Sequence, residues 1–105
     1  MTGARMARNQ KLTPVIAGRT IAQIGWDGAT AILHFDDASV LRVRTPAPPA
    51  ADAAPLEIGK VRAVRQSTAA VAFDLDDGST LQLPLAEATS CVMLRDAKGA
   101  MEYAD

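Results

Sequence analysis

The chain has 105 residues, of which 49 % are hydrophobic and 22 % charged, and a net charge of −1. This length supports one core and hence one domain, the composition excludes wholesale disorder, and near-neutrality excludes a global field that would recruit nucleic acid or an anionic membrane. The lone cysteine, Cys91, excludes an internal disulfide, and no stretch approaches the roughly 20 apolar residues of a membrane helix, so a soluble protein of the reducing cytoplasm is expected.

Residues 1–14 carry several basic side chains but no continuous apolar run of signal-peptide length, and are expected to form a flexible N-terminal arm. From 15 to 45 the pattern becomes that of a three-stranded meander. The stretch "TIAQIGW" runs into Asp27 and Gly28, a two-residue hairpin signal. Ile21 and Ile24 are spaced by three, which breaks strict alternation and predicts a bulge. Ala31, Leu33 and Phe35, then Leu41 and Val43, follow the period of two expected of half-buried strands. Between them, Asp36, Asp37 and Ala38 are expected to make a three-residue turn.

The segment 46–56, rich in Pro and Ala and without apolar periodicity, reads as an extended, semi-rigid crossing. A second meander is then expected over 57–86, because the first pattern returns forty positions later: Ile21 matches Val61, Ile24 matches Val64, Leu33 matches Phe73, Phe35 matches Leu75, and Asp36, Asp37 and Ser39 match Asp76, Asp77 and Ser79. This agreement reads as an internal duplication. Gly78 stands where the first copy has Ala38, at the turn position that favours a left-handed backbone. Ser67 and Thr68 stand at the place of the Asp-Gly turn. Residues 87–105 read as a closing C-terminal hairpin whose first strand, Cys91 to Leu94, is apolar on both faces and so expected to be central. The fold class is therefore all-β: two related three-stranded meanders, joined by the Pro/Ala-rich crossing and closed by a hairpin, as a small barrel or sandwich.

Chemistry-bearing motifs are few. His34 is the only histidine and falls on the outward side of its strand, whereas Cys91 falls in an apolar run where a thiol is inert, so the two do not form a nucleophile and base. The stretch "DLDDGS" fails the calcium-loop pattern: counted from Asp74, the fifth position is Gly78 and the twelfth is Leu85. The turn explanation suffices for Asp36, Asp37, Asp76 and Asp77, and there is no glycine-rich phosphate loop. The sequence therefore leads to a non-enzymatic module with no metal and no cofactor.

The outward positions of the first meander differ from those of the second: Ile32, His34, Val40, Arg42 and Arg44 face Ala72, Asp74, Thr80, Gln82 and Pro84 in the alignment. A mixed apolar and basic strip of this kind points to a protein partner or to a second copy of the chain. Trp26, whose counterpart is Gln66, is either a lid on the core or a further anchor of that strip. The alternative reading is a single-stranded nucleic-acid binder using Arg42, Arg44, Lys60, Arg62 and Arg65. It lacks the interleaved aromatics that would stack bases, and the pI of about 5.7 is far from basic.

Overall fold

The protein is described by a computed structural model covering residues 6–50 and 56–104. Nine strands and one short helix are found among these residues: β1 (Ala7–Arg8), α1 (Thr13–Ile16), β2 (Thr20–Asp27), β3 (Thr30–Phe35), β4 (Val40–Arg44), β5 (Gly59–Gln66), β6 (Ala70–Leu75), β7 (Thr80–Pro84), β8 (Val92–Arg95) and β9 (Met101–Ala104). All pairings are antiparallel, and they link the strands into a single sheet in the order β7-β6-β5-β2-β3-β4-β8-β9, with β1 added to β5.

The expected meanders are β2-β3-β4 and β5-β6-β7, and their registers correspond at an offset of forty. Leu33 lies opposite Leu41 as Phe73 lies opposite Leu81. Both expected bulges occur, between Ile21 and Gln23 and between Val61 and Ala63. An extra residue at those points lets Ile21 and Ile24, like Val61 and Val64, turn toward the same side despite their odd spacing. The three-residue turns are present too: Phe35 N–H donates to Ser39 O (3.0 Å) and Leu75 N–H to Ser79 O (2.9 Å). Ala38 and Gly78 both take positive φ, 71° and 92°.

The other hairpin turn differs from expectation by one residue. Asp27 pairs with Thr30 as the last rung, so Gly28 and Ala29, not Asp27 and Gly28, form the two-residue turn. Gly28 alone has positive φ (61°), the sign pattern of a type II′ turn, whose first central position needs glycine. In the second meander Ser67 N–H donates to Ala70 O (2.9 Å), so Thr68 and Ala69 form the turn.

The two meanders meet edge to edge over a short ladder, Thr20 with Lys60 and Ile21 with Gly59. At the opposite end of β4, Ala86 N–H donates to Arg44 O (2.9 Å). The inward side chains of both meanders, among them Leu33, Leu41, Val43, Phe73, Leu81 and Leu83, join one buried cluster. The architecture is thus one sheet wrapped around one core, and neither of its terminal strands, β7 and β9, pairs with the other among the described residues.

Two expectations about the flanks are corrected. Residues 6–14 do not form a free arm. β1 pairs with β5, and Leu12, Thr13 and Ile16 are buried against the core. Thr13 Oγ1 donates to Val64 O (3.2 Å) and accepts from Val64 N–H (3.0 Å), while Asn9 N–H also donates to Val64 O (2.7 Å). The short helix starts at Thr13-Pro14, where a missing N–H costs nothing, and it sets these groups against an edge of β5 that β2 leaves unpaired. Secondly, β8 is not buried on both faces: Cys91, Val92 and Leu94 join the core as expected, but Met93 on the other face is half-buried, and the strand lies between β4 and the edge strand β9. Of the expected linker, residues 51–55 lie outside the described residues, and Leu56 packs against the core.

Candidate interaction surface

Five of the six expected surface residues share one face. In β3 and β4 the buried residues Ala31, Leu33, Leu41 and Val43 alternate with Ile32, His34, Val40, Arg42 and Arg44, which are half-buried or exposed. Ile32 lies opposite Arg42, His34 opposite Val40, and Thr30 opposite Arg44. Cross-strand partners share a face and stand about 4.5–5.5 Å apart, so these side chains form contiguous rows.

The rows extend onto strands that sequence reading did not attach to them. β8 pairs with β4, setting Met93 beside Arg42 and Arg95 beside Val40, and β9 sets Met101 beside Arg95. One row thus reads Ile32, Arg42, Met93, and the next His34, Val40, Arg95, Met101. Apolar and cationic groups alternate along and between them. Met101 is 50 % exposed, one of two large hydrophobic residues so exposed among those described. Met93, Arg95 and Met101 were missed because nothing local in the sequence says which strand β8 joins. No local signal separates Met93 from its neighbours, since the run Cys91 to Leu94 reads as apolar on both faces.

Trp26 stands apart from this strip. It pairs with buried Ala31, which puts it on the inward side of β2, and its ring packs against the core, the lid position. Burying most of an indole while leaving an edge near water is a common solution for this residue.

The charges on the strip are unequally neutralised. Arg44 reaches Glu87 (3.2 Å) in an exposed ion pair, and Arg95 donates to Gly99 O (3.0 Å). Arg42 has no ion pair or side-chain hydrogen bond with any described residue, although it stands between Ile32 and Met93. On the second meander the corresponding face is quiet. Arg65 holds Asp74 through two hydrogen bonds of 2.8 Å, which keeps the Asp74 carboxyl below its usual range, and Thr80 adds a third bond. Ala72, Gln82 and Pro84 complete that face without a large apolar side chain.

The five cations considered for nucleic-acid binding do not form one track. Arg42 and Arg44 lie on β4, Lys60, Arg62 and Arg65 on β5, and two strands, β2 and β3, separate the groups. All four aromatics are committed to the interior: Phe35 and Phe73 are buried, and Trp26 and Tyr103 pack against the core, with Asn9 Nδ2 donating to the Tyr103 hydroxyl (3.1 Å).

His34 is exposed on the strip, whereas Cys91 is buried, its Sγ accepting from Glu87 N–H (3.2 Å) and approaching Glu87 O (3.4 Å). The acidic turns satisfy themselves: Asp37 accepts from the Ser39 N–H and hydroxyl, and Asp77 from those of Ser79. No group of three or more metal-ligating side chains occurs among the described residues, and no helix there is long and apolar enough to cross a membrane. No protein-family model matches the chain, and no curated protein or solved structure matches it.

Proposed function

We propose that the chain is a non-enzymatic, cytoplasmic protein-interaction module that docks through the outer face of β3, β4 and β8. The observation that carries this reading is the alternation of Ile32, Arg42 and Met93 with His34, Val40 and Arg95 on a sheet face whose counterpart in the second meander is small and self-neutralised. Half-buried aliphatic and methionine side chains beside arginine match the composition of interface cores, where Met and Arg are enriched and Lys, Glu and Asp depleted. The sheet beneath fixes the spacing of these residues, so binding need order only their side chains and not the backbone that carries them. A base-stacking platform has no support from the aromatics, all of which face inward.

The test is comparative affinity capture from the source cell with three baits: the native chain, Ile32→Glu/Val40→Glu, and a control, Thr80→Glu/Gln82→Glu, on the equivalent positions of the second meander. Native and control baits should retain the same proteins and the first variant should lose them, while its melting temperature falls by only a few degrees because neither side chain belongs to the core. If Ile32→Glu/Val40→Glu unfolds, Arg42→Glu, fully outward, takes its place. Equal retention by all folded baits would overturn this surface.

A further inference from the structure

Resting on that reading of the surface, we infer that the partner supplies an acidic segment bearing aliphatic side chains. The chain as a whole is slightly acidic, with a net charge of −1, yet the strip gathers Arg42, Arg44 and Arg95, with His34 on the adjoining strand, and among the described residues only Arg44 finds a carboxylate there. Arg42 is flanked on both sides by apolar groups, Ile32 and Met93. A covering surface would therefore strip water from its guanidinium, and a buried charge without a counter-ion is costly. The partner must bring the carboxylate.

The spacing suits an extended segment. Arg95 sits diagonally from Arg42, two residues beyond Met93 on the neighbouring strand, a separation of roughly 7–8 Å at the backbone. Alternate residues of an extended chain are about 6.6–6.8 Å apart. Two carboxylates at alternate positions can thus meet both arginines, and aliphatic groups at the next alternate positions, on the same face of the segment, meet the apolar side chains that flank them, Val40 and Met93. A second copy docking by the same face is disfavoured by the same charges. A two-fold axis sets this patch against the same patch of the other copy, so a group of arginines meets another group of arginines, and like charges across an interface are repulsive.

The experiment is a titration of the isotopically labelled chain, followed by amide chemical shifts. The probes are a short synthetic peptide with Asp or Glu at two alternate positions, Leu or Ile at the alternate positions on either side and Ser between, its counterpart with Lys at each acidic position, and a mixed-sequence single-stranded oligonucleotide. The acidic peptide should shift the amides of Ile32, Val40, Arg42 and Met93, and Arg42→Glu/Arg95→Glu should weaken it roughly tenfold or more. The Lys peptide and the oligonucleotide should leave these amides in place. Equal binding by the Lys peptide, or no shift with the acidic one, would overturn the acidic chemistry while leaving the capture experiment free to uphold the surface. Shifts of the same amides by the oligonucleotide at lower concentration would replace the protein partner with a nucleic acid. Light scattering completes the set: a multiple of the monomer mass that Ile32→Glu/Val40→Glu abolishes would identify a second copy as the occupant and overturn the inference.

Discussion

Ala38 and Gly78 occupy the same place in two turns of equal length, at φ 71° and 92°, and differ only by a methyl group. A Cβ in this region meets the neighbouring carbonyl, whereas glycine does not. Nothing lies within 4 Å of a Cβ built on Gly78, so Gly78→Ala carries conformational strain and no clash. Ala38→Gly should raise stability by about 0.5–1 kcal/mol and Gly78→Ala lower it by a similar amount, read as opposite shifts of a few degrees in thermal melts. Acid sensitivity also resides in single residues. Asp37 is held below its usual range first by the Ser39 hydroxyl, then by the Ser39 N–H and the charge of Arg19, and Asp74 first by the Arg65 hydrogen bonds. Because the folded values lie below the unfolded ones, the stabilisation is complete above the ordinary aspartate range near pH 4 and is lost as pH falls through the depressed values. Denaturant midpoints measured from pH 6 down to pH 2 should fall most steeply at the acid end, and Asp74→Asn should flatten that fall.

At the scale of elements, one hydroxyl serves both backbone groups of Val64 on the edge of β5. Thr13 Oγ1 both accepts from and donates to the backbone of Val64, and both residues are buried. Thr13→Val keeps the shape but leaves the Val64 N–H without that partner, a loss of about 1–3 kcal/mol, to be read as a lower denaturant midpoint at unchanged m-value. β9 is held by side chains as well as by its ladder: Arg19 binds Glu102 through two hydrogen bonds, 2.8 and 2.9 Å, and also donates to Ser39 Oγ (3.1 Å). Glu102→Gln should quicken hydrogen exchange at residues 101–104, with a change in global stability of about 1 kcal/mol or less. The meanders, their bulges and their acidic turns were legible because each is fixed by local patterning: period two, one odd spacing, one positive-φ position. The docking of residues 7–16 on β5 was not legible. It rests on Asn9 and Thr13 meeting a backbone edge more than fifty residues away, and polar residues in a basic stretch look like a solvated arm. The candidate strip was readable on β3 and β4 and incomplete for the same reason, since Met93, Arg95 and Met101 enter it only through the long-range pairing of β8 with β4.

On the scale of the whole molecule, the sheet divides its labour between two faces. On one side β2 to β8 share a common core, against which Tyr103 of β9 also packs, and the other side differs between halves: alternating arginine and aliphatic groups on the first meander, a closed Arg65–Asp74 pair on the second. Substitutions on the outer face should therefore separate binding from stability, which is what makes the surface variants informative. The edge cover of β5 also imposes a timetable on synthesis. Asn9 is 57 residues from Gln66 and 94 from Tyr103, the two side chains its amide bonds. At translation speeds of 5–20 residues per second, roughly 5–20 s separate its emergence from that of its last partner. Until residues 59–84 emerge within that interval, Leu12, Ile16, Leu33 and Phe35 have no second meander to cover them, so the nascent chain presents its future interior to whatever lies near the ribosome before it can present its binding face to a partner.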